Sequence, residues 1–137
     1  MTSNVERTMQ AMDAWNRQDL DEYCTIYHPD AVLHGFAPVP LDVAAVLEGY
    51  RAFFAGFPDI RFDLLDSVSD GETVAMRVRL QGTHTGTFQG IPATGRPIGV
   101  EAITIMRFRE GKIIERWNQF DQMSLMQQLG VIPTSPA

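Results

Sequence analysis

The apolar positions in the first third of the chain recur at helical spacing. Val5, Met9, Met12 and Trp15 follow one another at intervals of four, three and three, which places them on one face of an α-helix. Ser3 and Glu6 form a capping-box pair that opens this helix, and it is expected to run to about Arg17. Asp19 and Glu22 repeat the pair and predict a second helix carrying Leu20, Tyr23, Cys24 and Tyr27, stopped at His28-Pro29. Residues 31–35 read as a short strand, and Pro38 and Pro40 as a loop. Asp42 is placed to cap a third helix with the apolar stripe Val43, Val46, Leu47, Tyr50, Phe53 and Phe54, ended by Gly56 and Pro58.

From Asp59 onward the period changes to two. Ile60, Phe62 and Leu64 alternate with Arg61 and Asp63, and Val74, Met76, Val78 and Leu80 alternate with Ala75, Arg77, Arg79 and Gln81. With Ser69-Asp70-Gly71 between them, these are two strands of an antiparallel hairpin. Residues 98–109 and 112–120 predict a second hairpin around Glu110-Gly111. A two-residue turn there would force Glu110 to positive φ, so the expected loop has three residues, with Gly111 left-handed. It pairs Phe108 with Lys112, Arg107 with Ile113, Ile103 with Trp117 and Glu101 with Gln119, and sets Trp117 and Asp121 on one face; a one-residue slip would reverse that face. Asp121 opens a last helix through Met123, Leu125, Met126 and Leu129, closed by Gly130.

Helices followed by a run of antiparallel strands give an α+β order. The expected architecture is a curved antiparallel sheet wrapped around the N-terminal helices, a cone or α+β barrel whose wide end is an apolar pocket. The 137 residues, 45% of them hydrophobic, are expected to form a single domain spanning 1–137. Ile103, Ile105 and Ile113 alternate with Ala102, Thr104, Met106 and Phe108, so both faces of the last hairpin are apolar although helices can cover only one. The expectation is a homodimer, or a higher homo-oligomer, through the outer face.

Seventeen acidic residues against eleven basic ones give a net charge of −6. That balance disfavours nucleic acid and anionic membranes as partners. No basic-then-apolar leader opens the chain and no apolar run spans a bilayer, so the expected location is the cytoplasm. Cys24 is the only cysteine, which excludes an internal disulfide. The three histidines, His28, His34 and His84, lack metal-ligand spacing, and no dinucleotide or phosphate loop is present. Neither a metal nor a cofactor is expected.

The least average stretch is Gly82-Thr83-His84-Thr85-Gly86-Thr87-Phe88-Gln89-Gly90-Ile91-Pro92-Ala93-Thr94-Gly95-Arg96, whose glycines point to bends, turns or close backbone approach. Together with Glu110-Gly-Lys-Ile-Ile-Glu-Arg-Trp-Asn-Gln-Phe-Asp121 and Gln128-Leu-Gly130, it resembles the SnoaL-like polyketide cyclases, or ester cyclases, from about Phe57 to the end. The helical first half fits the wider nuclear-transport-factor-2-like superfamily, which includes ketosteroid isomerase and limonene epoxide hydrolase. Pro92-Ala93-Thr94-Gly95 departs from the Pro-Pro-Thr-Gly of many members. The resemblance implies the same α+β cone, a small hydrophobic polyketide-like ligand, and a cofactor-free intramolecular aldol cyclisation with Asp121 as acid/base.

Candidate residues follow. Asp121 has two readings, a helix cap and a catalytic carboxylate, with Trp117 and Phe120 as apolar walls beside it. His84 reads either as a structural hydrogen-bonder or as a donor polarising a substrate carbonyl, and His34 is a weaker version of the same proposal. Arg77, in mid-strand, is a candidate for an inward-reaching cation. Trp15, Phe88 and Trp117 are candidates for the apolar lining, alongside Tyr23, Tyr27, Phe54, Met76 and Met126. Two rival functions remain open on the same cone: epoxide hydrolysis or isomerisation, with Arg77 and Asp121, and a non-catalytic small-ligand module.

Overall fold

The computed structural model describes residues 2–133. Four α-helices, α1 (Asn4–Asn16), α2 (Leu20–Tyr23), α3 (Val43–Gly56) and α4 (Gln122–Gln128), accompany five strands. The strands are β1 (Tyr27–His34), β2 (Arg61–Ser69), β3 (Thr73–Thr83), β4 (Pro97–Arg109) and β5 (Lys112–Phe120). Each helix begins at the cap residue that the pattern indicates. The side chains of Ser3, Asp19, Asp42 and Asp121 accept from the backbone N–H of Glu6 (3.1 Å), Glu22 (3.1 Å), Ala45 (2.9 Å) and Ser124 (3.0 Å). Each such cap contributes about 1 kcal/mol.

The fold is α+β, with the strands in the order β1-β5-β4-β3-β2 in an open sheet. Two points differ from the expected architecture. The sheet is mixed, because β1 runs parallel to β5, and it does not close into a barrel. The second helix is also shorter than its apolar pattern: after α2 the chain makes one 3-10 turn, Cys24–Ile26, and Tyr27 already belongs to β1. His28 and Pro29 therefore lie in a strand, where the His28 Nδ1 accepts from the backbone of Asp30 (3.0 Å). Proline is tolerated here because Pro29 falls in the irregular part of the β1–β5 register, between Tyr27 and Val32, where the strand makes no paired contacts.

The β4–β5 register departs from expectation in an instructive way. Glu110 (φ 52°) and Gly111 (φ 78°) both adopt positive φ, so the hairpin turns over two residues, with Arg109 opposite Lys112. A bulge then skips Ile114, and Ile105 rather than Ile103 faces Trp117. The total shift is two positions, so the faces keep their parity beyond the bulge. Ile113, before the bulge, is turned into the core opposite Phe108. It does not join Ile103 and Ile105, which are 54% and 40% exposed on the outer face.

The inner face of the sheet and the helices enclose the core. α1 packs against β2 and β3, α3 against β1, and α4 against β4. Trp15 is the hub, with its ring 5.5 Å from Tyr50, 4.8 Å from Phe54 and 4.2 Å from Phe62. A second aromatic cluster joins Phe53, Phe57 and Phe88. Each fully buried side chain of this size contributes about 1.5–3 kcal/mol.

The glycine-rich stretch is the loop from β3 to β4, folded back onto the C-terminal end of α3. Gly86 N–H donates to the Gly56 carbonyl at 3.0 Å. A Cβ on Gly86 would lie 2.0 Å from the Ala55 carbonyl oxygen, so the loop seats only because no side chain is there. Seating it delivers Phe88 into the core. Gly86→Ala should therefore lower stability by about 1–3 kcal/mol, read as a shift in the denaturant midpoint. A variant unfolding at the wild-type midpoint would show that the loop docking is dispensable.

Candidate functional site

A cavity of about 300 Å³ lies between α3 and the inner face of the sheet. Its walls are mostly apolar, with Trp15, Phe36, Phe53, Phe62, Phe88 and Phe120 as aromatic faces. Tyr50, Arg116, Asn118, Gln89 and Gln122 supply the polar groups. Gln89 and Gln122 are exposed and mark its mouth. Its size lies at the lower end of the range for small-molecule sites.

Parity along β5 decides which side chains enter. Arg116, Asn118 and Phe120 face the cavity, while Glu115, Trp117 and Gln119 face the other side of the sheet. Close approach of β1 shapes the rim: Gly35 (φ +88°) lies so near β5 that a Cβ would sit 1.8 Å from the Asn118 carbonyl oxygen. Any side chain there would push the two strands apart.

Arg116 is the dominant electrostatic feature. It is 6% exposed and takes part in no ion pair among the described residues. Its partners are neutral hydroxyls instead. Nη1 donates to Tyr27 Oη at 2.7 Å and Tyr23 Oη at 3.0 Å, with Tyr50 Oη at 3.4 Å. Nε donates to Thr104 Oγ1 at 2.8 Å, and that hydroxyl donates on to the Trp117 carbonyl at 3.0 Å. The Phe36 ring lies 5.3 Å from the guanidinium carbon, in cation–π range. These are all three tyrosines of the chain.

Burial pushes the hydroxyls of Tyr23 and Tyr27 up, Tyr23 well beyond the usual tyrosine range. Both stay protonated at neutral pH. Burial opposes the charge on Arg116, but the oxygens of Tyr27, Tyr50 and Tyr23 outweigh it and hold its pKa above the ordinary value. The cluster is therefore one desolvated positive charge held by dipoles, without a counter-anion.

Two donors beside the cavity are weakly satisfied. The Trp15 indole N–H is buried without a partner among the described residues. The Tyr50 hydroxyl has only 3.4 Å neighbours, Tyr23 Oη and Arg116 Nη1. Neither carboxylate nor imidazole lines the cavity. A ligand suited to these walls is apolar, flat and studded with carbonyl or enolate oxygens.

Of the residues singled out from the sequence, Trp15, Phe88 and Phe120 line the cavity. Asp121 does not. It caps α4, is exposed, and borders a shallow depression on the outer side of the sheet together with Arg77 and Glu101. Arg77 reaches outward rather than inward, with Nη1 2.7 Å from Glu101 Oε1. Trp117 and His34 are also on the outer side, stacked at 5.5 Å with planes 10° apart. His34 Nε2 lies 2.8 Å from Glu115 Oε2, and Arg107 lies 5.1 Å over the Trp117 ring.

His84 is fully buried outside the lining, against Phe57 with ring centroids 5.2 Å apart. Its Nδ1 accepts from the backbone of Thr94 (3.2 Å) and lies 2.9 Å from Thr94 Oγ1. That bonding places the neutral ring's proton on Nε2, which has no partner among the described residues. His84 thus fastens Thr94 across the loop.

Sequence reasoning passed over Arg116, Asn118 and Phe36, and took Tyr50, Tyr23 and Tyr27 for apolar stripe or lining. A signal for Arg116 was present: it has the inward parity of Asn118 and Phe120, and no acidic residue shares that parity on β5. The convergence of tyrosines from α2, β1 and α3 upon it was not legible, because it depends on how three separate elements pack.

Residues 6–129 match the family model of the SnoaL-like polyketide cyclases. The aklanonic acid methyl ester cyclase DnrD of Streptomyces peucetius is 25% identical, over 95% of this chain and 92% of its own length. Among solved structures, AclR of Streptomyces galilaeus, a candidate hydroxylase, superposes with a TM-score of 0.89 at 26% identity, covering 97% of this chain and 84% of that one. IdmH of Streptomyces antibioticus, a candidate polyketide cyclase, gives 0.83 at 32% identity, with 93% and 98% covered.

The tyrosines should separate in a stability assay. Tyr27→Phe removes a 2.7 Å bond to a buried cation and should cost about 1.5–3 kcal/mol. Tyr50→Phe removes only 3.4 Å neighbours and should cost less than about 1 kcal/mol. Denaturant unfolding of the two variants checks the order; equal losses would mean that Tyr50 is as firmly tied as Tyr27.

Proposed function

The chain belongs to the SnoaL-like polyketide cyclase family, and on that footing we propose that it is a cofactor-independent polyketide cyclase-like enzyme closing a ring by intramolecular aldol addition. The observation that carries this reading is the buried Arg116 cation, without a carboxylate partner among the described residues, in the wall of an aromatic cavity. In aldol closure, a carbon flanked by two carbonyls loses a proton. The resulting enolate carbon bonds to a second carbonyl carbon, and that carbonyl's oxygen becomes an alkoxide. Arg116, with the Tyr50 hydroxyl, is placed to hold the negative charge that moves from enolate to alkoxide.

The aromatic walls fold a flexible, carbonyl-rich chain so that its ends meet, which removes much of the entropic barrier. The proton that leaves carbon and the one that returns to oxygen exchange with water at the mouth between Gln89 and Gln122. Asp121 then serves the reaction only by fixing α4, whose Gln128 is bonded to the backbone of Gly99 on β4 (2.7 and 2.9 Å). The ligand is a small aromatic polyketide ester.

Ring closure of a β-polyketo ester, followed by mass spectrometry and absorbance in the presence of a chelator, tests this. Arg116→Lys and Tyr50→Phe should lower turnover, Arg116→Lys by about 10²–10³, while Asp121→Asn should stay near wild type, since asparagine also caps. A loss of about 10²–10⁴ in Asp121→Asn would return acid/base catalysis to that carboxylate. A product heavier by one oxygen atom would point to oxygenation, and tight binding without turnover to a binding module.

We also propose that the outer sheet face mediates a homodimer. Ile103, Ile105 and Val32 are exposed there, beside the stacked His34–Trp117 pair and the Arg77–Glu101 ion pair. Sedimentation at micromolar concentration should give a dimer, and Ile103→Glu should dissociate it. A wild-type monomer would remove this assignment.

A further inference from the structure

We infer that the cavity takes its ligand as an anion, an enolate or phenolate whose negative oxygen completes the Arg116 cluster. The inference deepens the cyclase reading and rests on the same cavity, but it concerns the charge state of what binds rather than the bond that forms. Three observations lead to it. The guanidinium is desolvated and paired only with hydroxyls and an aromatic face, and its Nη2 makes no hydrogen bond among the described residues. Hydroxyl dipoles solvate a cation without neutralising it, so a net positive charge remains inside an apolar wall.

The second observation is what the walls lack. A site that must ionise its ligand needs a base within reach, and the lining offers neither carboxylate nor imidazole. The third is the loosely held Tyr50 hydroxyl, which shares the cavity with Arg116 and has only 3.4 Å neighbours. Arg116, the Tyr50 hydroxyl and the Asn118 amide can each donate to an incoming oxygen. Such a site favours a molecule that is already an acid in water, such as a 1,3-dicarbonyl enol, a hydroxyquinone or a polyphenol, and selects its conjugate base. The proton is released to solvent before or as the ligand enters. No residue of the cavity has to accept it.

The distinction from simple carbonyl binding is measurable. A neutral ketone offers the same oxygen but no charge, and a charge-assisted hydrogen bond is about twice as strong as a neutral one. The anion of a flat acidic quinone should therefore be preferred over its O-methyl ether by about ten- to a hundredfold. Methylation leaves the aromatic area and both carbonyls in place.

Isothermal titration of the full chain with 2-hydroxy-1,4-naphthoquinone and with 2-methoxy-1,4-naphthoquinone tests this directly. The hydroxy compound should bind at least about tenfold tighter at neutral pH. Its bound visible spectrum should be that of the ionised form even in buffer acidic enough to leave the free compound partly neutral. Arg116→Lys, which keeps the charge but loses the planar fork, should retain part of the preference, and Arg116→Met should abolish it, with circular dichroism confirming the fold of each.

Equal affinity of the wild type for the two quinones overturns the inference whatever the variants do. So does a preference that survives in a folded Arg116→Met, since the charge would then be read elsewhere. An ionised, tightly held quinone with no ring closure of the polyketo ester supports the inference while removing the cyclase reading. Ring closure with no preference for the anion does the reverse.

Discussion

One buried charge that pairs with no carboxylate among the described residues organises this molecule. Arg116 projects from the inner face of β5 into the space that would otherwise be a continuous aromatic core. A lone guanidinium in such surroundings is costly, and the fold meets part of that cost by converging elements upon it. α2 brings Tyr23, β1 brings Tyr27, α3 brings Tyr50 and β4 brings Thr104. Each of these residues is also part of the ordinary packing of its element. Breaking the cluster therefore loosens the joint between the helices and the sheet, which ties the stability of the cone to the electrostatics of its cavity.

The cavity exists because two strands and a loop approach more closely than side chains would permit. Gly35 lets β1 turn away beside Asn118, and Gly86 lets the loop between β3 and β4 lie on the end of α3. The first opens the rim, and the second delivers Phe88 to the wall. His84 and Thr94 close that loop from within. The unusual glycine and threonine content of the stretch is explained by seating and closure, while the chemistry of the cavity comes from β5 and α3.

The elements were legible because their signals are local. The helix caps at Ser3, Asp19, Asp42 and Asp121, the switch of period after Asp59 and the Ser69-Asp70-Gly71 turn are all decided within a few residues. The parallel pairing of β1 with β5 was not legible, because a short edge strand far from its partner in sequence carries no mark of direction. The Glu110-Gly111 turn misled for a related reason. Turn chemistry disfavours Glu at positive φ by a modest amount, and the pairing of two long strands on either side outweighs it. The two-residue turn set Ile113 opposite Phe108 in the core, and the bulge at Ile114 restored the expected parity beyond it. Trp15, on the inward face of α1, and Phe88, carried in by the loop, both border the cavity.

Asp121 lies apart from the cavity for a reason of parity. A carboxylate at a strand end, just before a helix and within a familiar-looking motif, is an attractive base, but its position has the parity of Trp117 and Gln119, which face away from the cavity. Three residues earlier, Asn118 has the inward parity and lines the wall. An amide there can donate to or accept from a ligand oxygen, yet it cannot take up a proton at neutral pH. The polar groups of the cavity are thus a guanidinium, a phenol and amides, a set that binds negative oxygen well and withdraws protons poorly. Chemistry at such a site has to draw on the acidity of the substrate itself. On the proposed reading, that requirement favours substrates whose carbon or oxygen acids ionise readily in water, which carbonyl-rich polyketide chains do and simple ketones do not.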